Sequence, residues 1–196
     1  MSSTKTLDVR KLVLLAIFTA IVIILQILGA FIRFGTFSVS LVLMPIVIGA
    51  ALLGAFAGAW LGLVFGLVVL ISGDANPFLL VNPAATVFVV LFKGALAGYL
   101  AGIAYKLLAN CSKTIAAVVA AVVCPVVNTG IFILGGYIFF LPTLSEWGLA
   151  AGAVSVTAFI FLTLVGLNFV FELGVNLVLS PTIVRLIQYR QDKESA

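Results

Sequence analysis

Residues 12–32 of the chain read LVLLAIFTAIVIILQILGAFI, an apolar run that only Thr19, Gln26 and Gly29 interrupt. An α-helix needs about 20 such residues to cross the hydrocarbon core of a bilayer. A cleavable signal peptide has a shorter apolar core, of about 7–15 residues, with a small-residue cleavage site after it. Because this run is longer and further apolar segments follow it, we interpret it as an uncleaved transmembrane helix.

The composition of the whole chain extends this interpretation. Of its 196 residues, 64% are hydrophobic and only 8% are charged, whereas about 25% are charged in an ordinary soluble domain. The mean hydropathy is +1.39. A soluble protein of this size exposes much of its surface to water and has no room to bury so many apolar side chains. The sequence therefore predicts an all-α integral membrane protein.

The remaining apolar stretches predict five further helices. The run from Ser40 to Ile71 is too long for one crossing, and we divide it at the small residues 49–58. We interpret residues 72–83 as a turn-rich loop rather than a helix, and 150–164 as a short helix or ordered loop at the outer surface. The result is one domain, a compact bundle of six transmembrane helices at about 12–32, 41–53, 57–71, 85–108, 114–140 and 166–187.

Positive charge orients this bundle. With both termini in the cytoplasm, as tails 1–11 and 188–196, the inside segments hold eight of the ten basic residues: Lys5, Arg10, Lys11, Lys106, Lys113, Arg185, Arg190 and Lys193. Only Arg33 falls in an outer loop, which agrees with the positive-inside rule. A seventh crossing within 141–165 would place the C-terminal basic residues outside, so the rule disfavours it.

Several chemistries are excluded by residue content. The chain has no histidine and two cysteines, Cys111 and Cys124, too few for a zinc or iron–sulfur site. It lacks paired catalytic groups, so we expect no enzyme activity, no metal and no cofactor. The net charge of +4 is better explained by membrane topology than by nucleic-acid binding, and we expect no nucleic acid partner.

Ionisable and amide side chains inside the membrane are costly and suggest function. Lys93 lies in the fourth predicted helix, and Asn168, Glu172, Asn176 and Ser180 recur every four residues along the sixth, so they share one face. Lys93 and Glu172 lie at similar depths. Either they pair with each other, or Lys93 faces a cavity and holds a carboxylate or carbonyl of a substrate.

Other polar groups converge on the same outer half of the bundle. Asn128 follows Pro125 in the fifth helix, and Tyr137 lies farther along it. A small-molecule pocket is mostly apolar with a few placed polar groups, although hydrogen bonds between helices would also account for a single asparagine. The outer loops would cover such a pocket, with Arg33, Asp74, Asn76, Phe78, Asn82 and Trp147 near its rim.

The sequence shows no source of energy for transport. It has no phosphate-binding G-x-x-x-x-G-K-[ST] loop, no series of membrane carboxylates, and no division into two similar halves as in many secondary transporters. A protein that binds a solute without powering its movement is expected to be a subunit of a larger assembly.

The motifs along the chain resemble those of the substrate-binding S components of energy-coupling factor (ECF) vitamin transporters. The resemblance rests on Ala16-x-x-x-Ala20 in the first helix, FSVSLVLMPIVIGA at 37–50, Val127-Asn128-Thr129-Gly130 and ELGVNLVLSP at 172–181. It covers nearly the whole chain, and the order and spacing of these motifs carry it.

The resemblance implies a function. S components of the prokaryotic cell membrane bind a vitamin or related micronutrient at the extracellular side and join a module of one membrane coupling subunit and two cytoplasmic ATPases. In that family Ala16 and Ala20 would dock the coupling subunit, because small residues allow another helix to approach closely.

The identity of the ligand stays open between several vitamins. Lys93, Arg33 and the asparagines favour a polar, even anionic ligand such as pantothenate, whereas the aromatic residues suit riboflavin equally well; folate is a further candidate. The alternative functions are a stand-alone secondary carrier of a small polar solute, an intramembrane enzyme, and a scaffold without a ligand. A carrier would transport without any ATPase module, and a scaffold would tolerate apolar residues in place of Lys93 and Asn128.

Overall fold

The computed structural model describes the backbone of residues 9–31, 33–34, 37–38 and 41–195, and the side chains of 9–29, 41–166, 168–182 and 185. The two-residue strands β1 (Arg33–Phe34) and β2 (Phe37–Ser38) form an antiparallel hairpin, with Arg33 opposite Ser38 and Phe34 opposite Phe37. All other regular structure in these ranges is helical. In chain order the elements are α1 (Val9–Phe31), β1 (Arg33–Phe34), β2 (Phe37–Ser38), α2 (Leu43–Leu53), α3 (Ala55–Ser72), α4 (Asn76–Leu79), α5 (Pro83–Leu108), α6 (Lys113–Phe139), α7 (Leu141–Ala150), α8 (Val156–Ala158), a π-helical turn (Phe159–Leu164) and α9 (Gly166–Ser195).

Within the described residues, four helices are long and apolar enough to cross a membrane: α1, α3, α5 and α6. A fifth span results if Val156–Leu164 and Asn168–Thr182, which meet at a bend of 41°, are taken as one. The π-helical turn and Gly166 lie at this bend, and such turns commonly bend helices. The multi-pass membrane class is thereby confirmed, whereas the six-span count and the cytoplasmic termini stay predictions.

The shortest of the apolar helices, α2, occupies the centre of the bundle. It has 11 residues, too few for a full crossing, and its residues from Leu43 to Ala50 are all buried. A helix that is apolar all round is suited to a position enclosed by other helices. It therefore forms the core on which α1, α3, α5 and α6 pack.

Glycines bring α3 and α5 into backbone contact. A Cβ added at Gly58 would collide with the carbonyl oxygen of Gly98, and one at Gly62 with that of Gly94. The collisions are reciprocal, since a Cβ at Gly94 or Gly98 would meet the carbonyl of its partner. Helices without side chains at the contact approach this closely because nothing lies between their backbones.

The apolar side chains form two clusters rather than one. The larger unites α2 with the facing sides of α3, α5 and α6 and includes Leu43, Ile46 and Leu61. The smaller contains Phe140, Leu144 and residues of the α8 region such as Phe159 and Ile160. Phe65, Val69 and Val90 of the first cluster and Phe140, Leu164 and Val165 of the second line a common cavity.

The structure differs from the sequence-based expectations in three segments. The loop 72–83 contains the one-turn helix α4, with Pro77 in its first turn, where proline is tolerated. The segment 141–165, for which only a short helix or ordered loop at 150–164 is expected, is largely helical. The last helix continues to Ser195 instead of ending near 187, since residues 188–195 contain neither glycine nor proline.

Candidate functional site

A cavity of about 140 Å³ lies between the two apolar clusters. Its wall combines residues from the C-terminal halves of α1, α3 and α6 with residues from the N-terminal parts of α5 and α9. These five helix regions meet at one end of the bundle, which we name the cavity end. Lys106 at the end of α5 and Lys113 at the start of α6 lie at the opposite end.

Lys93, the one lysine of the cavity wall, lies between two aromatic rings. Its Nζ atom lies 5.6 Å from the ring centre of Phe65 and 5.2 Å from that of Phe132, distances at which the negative face of a ring attracts a cation. Glu172 and Asp74 act on it electrostatically, but no salt bridge joins Lys93 to Glu172 in the described part of the chain. The ammonium group therefore remains directed at the cavity.

The polar stripe of α9 turns inward, as its four-residue spacing requires. Glu172 is only 2% exposed, Asn176 1% and Ser180 3%. Asn168 Nδ2 donates to Glu172 Oε1 at 3.0 Å, and Asn176 Nδ2 donates to the backbone carbonyl of Glu172 at 2.8 Å. Asn168 and Glu172 line the cavity, whereas Asn176 lies one turn beyond its wall.

The middle of α6 supplies the facing wall. Asn128 is 5% exposed and lines the cavity together with Thr129 and Phe132. Its Oδ1 atom is buried without a hydrogen-bond partner. Pro125 precedes it within the helix and removes one backbone donor from the ladder at this level.

A hydrogen-bond chain from α1 closes one side of the site. Gln26 is 2% exposed; its Nε2 atom donates to Asp74 Oδ2 at 2.9 Å, and the hydroxyl of Ser72 donates to the same oxygen at 3.2 Å. Gln26 and Asp74 both line the cavity. The sequence-based reasoning did not select Gln26, although a single amide in an otherwise apolar membrane helix is itself a signal for an inward-facing position.

Aromatic side chains cover the cavity on the side of α4. The ring of Phe78, in α4, makes edge-to-face contacts with Phe132, Phe140 and Trp147 at centroid distances of 5.5, 5.1 and 5.4 Å. Such contacts are favourable for rings at these separations. Because Phe78, Phe132 and Phe140 also line the cavity, this cluster supplies an aromatic part of the cavity wall.

Comparison with known proteins gives one match. The family model of the ECF transporter, substrate-specific component, matches residues 10–184. The chain belongs to this family. No curated protein and no solved structure matches it.

The family membership confirms the resemblance noted in the sequence and makes the protein a substrate-specific membrane subunit of an ECF transporter. S components bind small-molecule substrates and work with an ECF module. The cavity of this S component is thus the feature of the fold suited to a small molecule, since it is largely apolar and provided with a few polar groups.

The structure brings together four of the predicted binding residues and places others elsewhere. Lys93, Asn128, Asn168 and Glu172 line the cavity. Asn82 caps α5, accepting from the backbone N–H of Ala85 at 3.1 Å, as extended asparagines at helix starts commonly do. Outside the cavity wall lie the exposed Asn76, the buried Asn176, and Tyr137, whose hydroxyl donates to Thr157 at 3.0 Å. The side chain of Arg33 lies outside the described residues.

The predicted docking residues lie on the outward face of α1. Ala16 and Ala20 are both exposed, and so are their neighbours Ile17 and Ile24, at 50% and 55%. Gln26, by contrast, is on the inward side of the same helix. In this S component, α1 therefore presents an apolar surface with two small residues to its surroundings and a polar group to the cavity.

Proposed function

We propose that this S component captures a vitamin or related micronutrient in the cavity and delivers it through an ECF-type ABC importer of a prokaryotic cell membrane. The observation that carries the proposal is the cavity lined by Lys93, Asn128, Asn168 and Glu172. Polar groups buried in a membrane bundle are retained where they serve a function. Pantothenate and riboflavin are the two ligands that the sequence favours.

The distribution of charge supports an extracellular position for the cavity. Arg10 and Lys11 lie at the start of α1, Lys106 and Lys113 between α5 and α6, and Arg185 in the C-terminal half of α9. All of them are at the helix ends remote from the cavity. Since basic residues favour the cytoplasmic side, the cavity end faces outward and both termini face the cytoplasm.

Within the cavity, four side chains are proposed as ligand contacts. The ammonium of Lys93 is available as a donor, and Asn128, Asn168 and Glu172 supply amide and carboxylate oxygens. Asn176 acts on the ligand only through Glu172, whose backbone it binds. Asn76, Asn82 and Arg33 keep the status of candidate rim residues.

The outward face of α1 supports the proposed assembly. A coupling subunit in the membrane would pack on Ala16 and Ala20, where the absence of large side chains permits close approach of a second helix. Two cytoplasmic ATPase subunits bound to that coupling subunit would supply the energy.

Two measurements test the proposal together. The purified protein in detergent is titrated with individual B vitamins while tryptophan fluorescence is recorded; we expect one ligand to bind at a ratio of one to one, and Asn128→Ala to weaken it. Uptake of that ligand is then measured in cells with and without an ECF module. Uptake that persists without the module and stops when the ion gradient is collapsed would replace the proposal by a secondary carrier.

A further inference from the structure

One buried polar side chain of the cavity wall, Gln26, has no role in the proposed function. We propose that Gln26 is a positioning residue, which holds the segment between α3 and α5 against the cavity through Asp74 and thereby slows release of the ligand. We name this segment, residues 73–82, the α4 segment. The inference rests on the proposed function, because it takes the cavity to be the ligand site.

The α4 segment forms one side of the cavity but has little regular structure of its own. Its residues Asp74, Ala75 and Phe78 line the cavity. Its regular part is the four-residue helix α4, in which no residue is fully buried. Because a single helical turn is not stable by itself in water, the position of the segment depends on the contacts that its side chains make with the bundle.

Two contacts of different chemistry hold the α4 segment on the cavity. The first is aromatic, since the ring of Phe78 packs against three rings of α6, α7 and the residue between them. The second is polar, since Gln26 Nε2 donates to Asp74 Oδ2 at 2.9 Å. The polar contact joins the segment to α1, a helix from which it is distant in sequence.

Gln26 restrains Asp74 in a way that its neighbour Ser72 does not. The Ser72 hydroxyl lies 3.2 Å from Asp74 Oδ2 and also 3.2 Å from the backbone carbonyl of Val69. A hydroxyl has one proton to donate, so these two acceptors share it. Ser72 also ends α3 itself, whereas Gln26 acts from 48 positions away. Gln26 therefore fixes the segment relative to the rest of the bundle.

The amide of Gln26 is poorly explained by the stability of α1 alone. The side chain is 2% exposed, and its Oε1 atom is buried without a hydrogen-bond partner. A buried unpaired acceptor lowers stability, and an apolar side chain of the same length would avoid this cost. The position that Gln26 gives to Asp74 and the α4 segment accounts for a polar group here.

The expected consequence is a change in the rate of ligand release. A segment that leaves α1 uncovers the cavity on the side of α4, and such movements commonly control release. Most differences in affinity between related complexes likewise lie in the dissociation rate. A hydrogen bond between membrane helices corresponds to a factor of about three to twenty. Loss of the Gln26 donor should therefore speed release by about this factor.

Backbone amides of the α4 segment report its position without any ligand. The N–H groups of Phe78 and Leu79 donate to the Ala75 carbonyl at 3.1 and 2.9 Å, and that of Asn82 to the Phe78 carbonyl at 3.0 Å. Hydrogen exchange of the purified full-length protein, followed by mass spectrometry, measures how often these bonds open. Gln26→Met keeps the side-chain length and removes the donor. We expect these amides to exchange about three- to twentyfold faster, with exchange in α6 unchanged.

Two further variants separate positioning from a general loosening of α1. Thr19→Val removes the hydroxyl that accepts from Trp60 Nε1 at 3.2 Å, another hydrogen bond between α1 and α3, and should leave the α4 segment unchanged. Asp74 has further interactions, so Asp74→Ala serves as the second arm of a double-mutant cycle. In that background, Gln26→Met should change exchange by less than about twofold.

Three results of the exchange experiment would overturn the positioning role. They are unchanged exchange of the α4 segment in Gln26→Met, an equal acceleration in the presence and absence of Asp74, and an acceleration that extends over the whole chain. The last result would assign Gln26 to the stability of the fold.

Release of the ligand is measured on the same variants. Radiolabelled riboflavin and pantothenate, and then the other B vitamins in turn, are bound to the purified protein and displaced by an unlabelled excess. Gln26→Met should release the bound vitamin faster by about the factor seen in exchange, and Thr19→Val at the unchanged rate. Faster exchange with unchanged release would overturn the inference and leave the proposed function intact. If no B vitamin binds the unmodified protein, the proposed function fails and the role in release fails with it, whereas the exchange result still decides whether Gln26 holds the α4 segment.

Discussion

The glycine contact between α3 and α5 leads to a prediction in which the same added methyl group lowers stability at one site and raises it at another. Gly62→Ala adds a Cβ that collides with the carbonyl of Gly94 and lies 3.1 Å from the amide nitrogen of Ala95. Gly130→Ala, in the interior of α6, adds a Cβ with nothing within 4 Å. Both changes replace glycine by alanine within a helix, so they share the same gain in helix propensity.

The expected magnitudes follow from these contacts. Replacing glycine by alanine in a helix interior is worth up to about 1 kcal/mol, which is the whole effect at Gly130. At Gly62 the colliding atoms belong to the backbone of α5 and have no side-chain rotation available, so the helices must separate. Overpacking of this kind costs about 1–3 kcal/mol. We expect Gly62→Ala to melt roughly 2–12 °C below Gly130→Ala, at about 2–4 °C per kcal/mol for a chain of this size.

The assay is thermal unfolding in detergent, followed by fluorescence of the two tryptophans and by the fraction of protein that remains monodisperse. The double variant Gly62→Ala/Gly94→Ala should be less destabilised than the sum of the single variants, because one separation of the helices relieves both collisions. A Gly62→Ala protein that melts at or above the temperature of Gly130→Ala would refute the reasoning, and with it the description of α3 and α5 as helices in backbone contact.

Three further predictions concern docking, the cavity cation and a helix cap. Ala20→Trp or Ala16→Trp should abolish co-purification with the coupling subunit while ligand affinity stays within twofold. The control Val178→Trp, on an exposed part of α9, should leave both co-purification and affinity unchanged. Co-purification that survives Ala16→Trp or Ala20→Trp contradicts the docking role. Lys93→Met should weaken ligand binding at least tenfold, because the wall then loses the ammonium group proposed to contact the ligand. A lower melting temperature with unchanged affinity would assign Lys93 to the fold alone. Asn82→Ala should lower the free energy of unfolding by about 1 kcal/mol through loss of the cap on α5. Asn82→Asp keeps a capping oxygen and should retain the stability. Equal melting temperatures for the two variants would show that the cap is not significant.

The sequence identified part of the candidate site because burying a polar side chain in a membrane helix is costly wherever the helix lies. Lys93, Asn128, Asn168 and Glu172 were selected on that basis, and all four line one cavity. In the sequence, Gln26 only interrupts an apolar run, because a single amide does not indicate which side of the helix faces the interior. Only the contact with Asp74, 48 positions away, shows which way it points.

Other predicted site residues of the same outer region make hydrogen bonds within the protein. Asn82 binds the start of its own helix, and Tyr137 binds Thr157 of the α8 region. Short-range hydrogen bonds of this kind compete with ligand binding for the same side chains, and residue type alone does not decide between them.

The sequence by itself determined that this is a multi-pass helical membrane protein of the ECF substrate-specific family, because hydropathy adds up residue by residue along each segment and the order of the motifs is a property of the chain. The tertiary structure decided where the polar groups meet. Two apolar clusters leave a cavity between them, the α3–α5 glycines bring two backbones together, and Gln26 reaches Asp74. Each of these depends on contacts between residues far apart in the chain, which local composition does not encode.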